Sequence, residues 1–72
     1  MRKFNIDVSL NGKNDEAKKQ ELYEKFNVKG ESEIIEINDL NNFNGNANIT
    51  LYATRNFIIN NYDEHYSDFE IK

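Results

Sequence analysis

Cysteine, proline and tryptophan are absent from this chain, and histidine occurs once, at position 65. Without cysteine there is no disulfide framework, no thiolate metal ligand and no thiol nucleophile. Glycine is scarce as well. Gly12, Gly30 and Gly45 stand alone, so no glycine-rich loop exists to cradle a phosphate, which argues against nucleotide hydrolysis. No uninterrupted apolar run exceeds three residues, as at Phe57-Ile58-Ile59, so no segment is long enough to span a bilayer. Met1-Arg2-Lys3 is basic, but the apolar residues behind it alternate with polar ones and form no signal-peptide core. A soluble, cytoplasmic protein is expected.

The 72 residues are fewer than the roughly 100–150 of an average domain, so one domain spanning 1–72 is expected. A core of this size supplies only about 3–5 kcal/mol, which makes dimerisation or ordering on a partner a natural supplement. Thirteen acidic residues against nine basic ones give a net charge of -4, the wrong sign for neutralising phosphates. Thirteen residues are Asn and eight are Ile, a bias that points to AT-rich coding.

Residues 3–10 alternate without error, with Phe4, Ile6, Val8 and Leu10 on one side and Lys3, Asn5, Asp7 and Ser9 on the other. This predicts a strand with one wet face. Asn11-Gly12 is expected to supply positive-φ residues for the turn out of it. Asn14 is placed to cap a helix over 15–26, whose first turn, Asp15-Glu16, suits the positive end of the helix dipole. In that helix Leu22, Tyr23 and Phe26 share an arc with the stem of Lys19, and Asp15/Lys19 and Glu21/Lys25 are favourable pairs one turn apart. Asn27 or Gly30 is expected to close it in a left-handed conformation.

Ser32 to Ile37 reads as a second strand, with Ile35 and Ile37 on the inner face and Ile34 and Glu36 opposite. After a loop over 38–45 carrying Leu40 and Phe43, a third strand over 46–53 turns Ala47, Ile49, Leu51 and Ala53 inward. Thr54 is a candidate cap for a short helix from Arg55 to about Tyr62, with Ile58, Ile59 and Tyr62 facing the sheet, although β-branched and aromatic residues there also suit a strand. Tyr66, Phe69 and Ile71 are consistent with a fourth, edge strand. The order is βαββαβ, or βαβββ if the second helix fails. The expected class is α+β, a small, mostly antiparallel sheet of three or four strands with one or two helices on one face. The expected core is Phe4, Ile6, Val8, Leu10, Leu22, Phe26, Ile35, Ile37, Ile49, Leu51, Ile58 and Ile71.

Chemistry-bearing constellations are few. His65 lies in Tyr62-Asp63-Glu64-His65-Tyr66-Ser67-Asp68, but neighbouring acids project in different directions and one imidazole does not make a metal site, so a solvated acidic turn is the better reading. The same residues lack the partly dry pocket that acid–base catalysis needs. No enzyme activity, metal or cofactor is expected. RNA-recognition domains share the βαββαβ order and stack bases on sheet aromatics, yet the wet faces here offer only Tyr52 among Asn, Asp and Thr, so direct nucleic-acid binding is disfavoured.

Charge is distributed unevenly. Residues 1–30 hold seven Lys and Arg against five acids, a balance of +2, and residues 31–72 hold two against eight, a balance of -6. Between Tyr62 and Glu70 the carboxylates of Asp63, Glu64, Asp68 and Glu70 interleave with Tyr62, Tyr66 and Phe69, with Glu31, Glu33 and Glu36 upstream. Aromatic groups bury area at low entropic cost and carboxylates steer toward a basic partner. Tyr62, Asp63, Glu64, Tyr66, Asp68 and Glu70 are therefore the candidate partner-binding residues. The other reading of this segment is that the acids keep the protein soluble and the aromatics fill the core. Leu40 and Phe43 are a second candidate contact, or a plug for the core.

In its size, α+β order, AT-rich bias, lack of catalytic motifs and acidic-aromatic C-terminal third, the chain resembles the small acidic inhibitors that phages use against host defence, of the anti-CRISPR and anti-restriction type. That resemblance implies a stoichiometric inhibitor that binds a nuclease or effector complex through a basic surface, in the host cytoplasm. The alternatives are a small nucleic-acid-binding domain using the basic N-terminal half, and a homodimer or larger assembly formed through the edge strand near 66–71.

Overall fold

A computed structural model of the chain describes residues 1–61, 70 and 71. Three strands and two helices follow one another as β1 (Arg2–Val8), α1 (Asp15–Phe26), β2 (Ser32–Asp39), β3 (Ala47–Ala53) and α2 (Arg55–Asn61). The strands form one sheet in the order β1-β3-β2, with β3 antiparallel to both neighbours. β1 and β2 therefore run parallel, joined by α1, with β3 inserted between them as a split β-α-β unit. Segment 55–61 is helical, which removes βαβββ. Glu70 forms an antiparallel bridge with Phe4, and the Ile71 N–H donates to the Lys3 carbonyl at 2.9 Å. Those two residues lie on the free side of β1, where the fourth strand of a βαββαβ order belongs.

The inner face of the sheet follows the alternation of β1 and β3. Phe4 pairs with Leu51, Ile6 with Ile49 and Val8 with Ala47, and all six are buried. Leu22 and Phe26 from α1 and Phe57 and Ile58 from α2 join the same cluster, so both helices cover one face and, among the described residues, leave the other open. Phe26 and Phe57 meet edge-to-face at 6.4 Å between ring centres, which ties the helices together beneath the sheet.

Several sequence expectations are corrected at the level of single residues. β2 carries two register shifts, between Ile34 and Glu36 and between Ile37 and Asp39. Each inserts a residue and reverses the alternation, so Ile34 opposite Leu51 and Ile37 opposite Ile49 both face the core while Ile35 is 50% exposed. Ile71 is exposed as well, and Leu10 is only partly buried. In α2 it is Phe57 and Ile58 that are buried, and Ile59 is turned out.

Caps define the helices. The Asn14 side chain accepts the Ala17 N–H at 2.9 Å, and the Thr54 hydroxyl accepts the Phe57 N–H at 3.1 Å. Asn27 ends α1 with a negative φ of -99°, the left-handed conformation falling on Gly30 at 79°, and the Asn27 side-chain oxygen accepts the Ile34 N–H at 2.9 Å. The buried Ser32 hydroxyl donates to the Phe26 carbonyl at 2.6 Å, fastening the start of β2 to the end of α1. Neither Asn11 nor Gly12 has a positive φ. Gly12 is required for a different reason: a Cβ there would lie 2.8 Å from the Lys18 nitrogen and 2.9 Å from the Ala17 carbonyl carbon, so the loop can only touch α1 without a side chain.

Candidate functional site

From Gly30 to Thr54 the sequence contains no Lys, Arg or His and four carboxylates, Glu31, Glu33, Glu36 and Asp39. This stretch folds as the antiparallel β2–β3 hairpin, so the acids are gathered into one unit of structure, with Lys29 and Met1 beside Glu33 at one end. Pairing across three strands sets the open face in rows: Lys3, Tyr52 and Glu33; Asn5, Thr50 and Glu36; Asp7, Asn48 and Asp39. Successive rows are two β3 residues apart, about 7 Å, so Glu33, Glu36 and Asp39 form a file about 14 Å long on the edge strand. Adjacent members are closer than the Debye length of about 8 Å in physiological salt and act as a shared negative field. Among the described residues the outward strand positions of this face hold four carboxylates, counting Asp7, against the ammonium of Lys3, with Met1 and Lys29 beside Glu33 at one end.

Asparagine amides organise that face. Asn48 donates to Asn5 at 3.0 Å and to Asp7 at 2.8 Å, and accepts from Asn5 at 3.0 Å and from Asn38 at 2.9 Å. A primary amide offers two donors and two acceptor positions, so every one on Asn48 is used. Asn38 also donates to the Thr50 hydroxyl at 3.0 Å. The network thus runs across all three strands and fixes the orientation of the Asp7 carboxylate.

The same chemistry braces the hairpin loop. Asn42 donates to Asp7 at 3.3 Å, and its side-chain oxygen accepts the N–H groups of Asn44 and Asn46, both at 3.0 Å. The Asp39 carboxylate accepts the Asn41 N–H at 3.0 Å, and Gly45 takes the positive φ of 79° that the turn demands. Leu40 packs against the core, as a plug would, and Phe43 stands at the loop tip wholly exposed. Beside the outer edge of β2, a groove between β2 and α1 is lined by Lys19 and Tyr23 on one wall and by residues 34–40 on the other. Tyr23 and Ile35, both about half exposed, lie on it.

One carboxylate away from the hairpin has a perturbed proton affinity. Glu21 holds Lys25 at 3.0 Å and accepts the backbone N–H groups of Gly12, at 2.9 Å, and Asn11. The bond from Lys25 is the largest influence and the two amides add to it, so its pKa is lowered below the ordinary 4.5 despite partial burial pushing the other way. Its role is to lock the β1–α1 loop onto the helix.

Of the residues that the sequence nominated for partner binding, Tyr62, Asp63, Glu64, Tyr66 and Asp68 lie outside the described residues, as does His65. Glu70 is described, and its carboxylate pairs with Arg2 at 2.7 Å beside β1. Of the expected edge strand near 66–71, residues 66–69 lie outside the described residues, and Glu70 and Ile71 make an isolated bridge and one backbone hydrogen bond with β1. Among the described residues no group of three or more His, Asp or Glu is placed to hold a metal ion, and no helix is long and apolar enough to cross a membrane. The sequence reading named Glu33 and Glu36 but missed the amide network and the groove. The signal that could have exposed the first was the placing of Asn5, Asn38 and Asn48 on outward strand positions.

Compared with family models, curated proteins and solved structures, the chain matches none of them.

Proposed function

We propose that this protein is a non-catalytic, protein-binding inhibitor, encoded by a phage or mobile element, that occupies the basic surface of a nucleic-acid-processing or CRISPR-type defence complex. The observation that carries the reading is the β2–β3 hairpin, twenty-five residues from Gly30 to Thr54 with four carboxylates and no cation, held rigid by side-chain amides. Order established before binding lowers the entropic cost of association, and an acidic face steers toward a basic one. Ile35, Phe43 and Tyr52 add exposed apolar area to the same hairpin. Charge also weighs against nucleic acid on the open face, where phosphates would meet four carboxylates and, at the outward strand positions described, one lysine.

The test is affinity capture of the tagged protein from lysate of a low-GC bacterial host at moderate salt, with mass spectrometry of the retained proteins. Two variants accompany it, one carrying Glu33→Gln, Glu36→Gln and Asp39→Asn, the other Asp63→Asn, Glu64→Gln, Asp68→Asn and Glu70→Gln. A stoichiometric nuclease or effector complex, lost with either set, is the expected result. Retention of nucleic acid alone, or of the protein itself alone, refutes the inhibitor reading and favours a nucleic-acid-binding domain or a self-assembling subunit respectively.

A further inference from the structure

We infer that the groove between α1 and the outer edge of β2 is the docking site for an extended, basic segment of a protein partner, seated by one large apolar side chain. The inference rests on the protein-binding reading above and adds the place and the chemistry of the contact. Three features converge there. The first is shape: β2 lines the groove from Ile34 to Leu40, a span that its two inserted residues shorten to about 14 Å, room for about four extended residues. The second is a pair of large apolar side chains set in an otherwise mainly polar lining. Tyr23 and Ile35 are 47% and 50% exposed and sit on the lining of this one groove, offering a partner's side chain two large surfaces that the fold itself does not bury. Ile35 is there because the register shift next to it sends Ile34 and Ile37 to the core and leaves the intervening isoleucine outside.

The third feature is charge. Glu36 and Asp39 lie on the β2 wall, neither paired with a cation among the described residues, and Glu33 precedes them on the same edge. Among the described residues Lys19 is the one cation on the lining, placed on α1 a single turn before Tyr23, where it can meet a backbone carbonyl of the segment. Strand addition to β2 is a poor alternative. Two register shifts break the repeat of its edge, and the Ile34 N–H is already taken by Asn27. Recognition therefore falls to side chains, an apolar anchor between Tyr23 and Ile35 and Lys or Arg groups facing the acids.

A library of random dodecapeptides displayed on phage is the probe. Selected peptides should combine Lys or Arg with a large aliphatic or aromatic residue, and on binding should shift the amide resonances of residues 19, 23 and 34–40. Tyr23→Ala and Ile35→Ala should each weaken binding at least about tenfold, and the Glu36→Gln, Asp39→Asn pair should flatten its dependence on salt. The variants' own amide spectra show that each remains folded. An empty selection, or peptides that shift residues 3, 5, 48, 50 and 52 on the open face in place of the groove, or that are indifferent to Tyr23→Ala, overturns the proposal. The protein captured from lysate separates this failure from that of the wider reading, since a partner still held by the Tyr23→Ala, Ile35→Ala double variant leaves the inhibitor in place and removes only the groove.

Discussion

Replacing Asn48 with valine sets two effects of opposite sign against each other. Asn48 lies in the central strand and its amide makes four hydrogen bonds of 2.8–3.0 Å, two with Asn5 and one each with Asp7 and Asn38. Their partners are open to water, so each bond is counted at the low end of its net worth, about 0.5 kcal/mol, or about 2 kcal/mol for four. Valine is the better strand former, by up to about 1 kcal/mol. Asn48→Val should therefore destabilise the protein by about 1 kcal/mol, which in a domain of this size lowers the thermal midpoint by about 4–8 °C. Far-UV circular dichroism on heating measures it. The control is Asn60→Ala, at an exposed position in α2, where better helix propensity should leave stability unchanged or raised by less than about 1 kcal/mol. An Asn48→Val protein that melts at or above the parent temperature refutes the argument and reduces the asparagines to a by-product of coding bias.

Three further outcomes follow from the packing. Gly12→Ala drives a Cβ against the α1 backbone at Ala17 and Lys18, where no flexible side chain can yield, and should cost about 1–3 kcal/mol; an unchanged melting temperature would show that the loop does not pack on α1 in solution. Phe57→Leu removes the edge-to-face contact with Phe26 and should cost about 1–2 kcal/mol in urea unfolding, with Ile59→Ala, on the exposed side of α2, costing less; the reverse order would put α2 in the wrong rotational setting. Glu21 has a folded pKa below its unfolded one, so its contribution to stability is complete above about pH 4.5 and disappears as pH falls through the lowered value. Glu21→Gln should erase that part of the acid dependence and be less stable than the parent at neutral pH. Parallel acid-unfolding curves for the two proteins would contradict it.

The parts of this fold that could be read from sequence are those decided within one turn or one strand. Asn14 followed by Asp15-Glu16 marks the start of α1 because the groups that need satisfying are three residues away, and the alternation from Phe4 to Val8 states which face is dry. β2 was harder. Ile34, Ile35 and Ile37 fit either face, and the choice was made by β3, whose Leu51 and Ile49 meet Ile34 and Ile37 only when a residue is inserted between them. A register shift is a property of the pair of strands, so no local pattern announces it. In α2 an error of one residue rotated the buried stripe by about 100°, exchanging Ile59 for Phe57.

Asparagine shows the same limit in the candidate surface. Counting its thirteen copies points to coding bias, and that explanation is blind to position. Once β1, β3 and β2 are aligned, Asn5, Asn48 and Asn38 become neighbours, a juxtaposition set by residues 43 and 10 positions apart in the chain. A biased pool of residues can still be placed selectively. Aspartate at Asn48 would offer no donors to Asp7 and would add a charge beside it, while threonine would supply one donor in place of two. An amide is the one common side chain of this length that can join a carboxylate, an amide on each side and a neighbouring strand at once. The acidic face gains by this a fixed geometry without gaining a cation, and a negative surface that keeps both its shape and its charge is what the proposed basic partner would require.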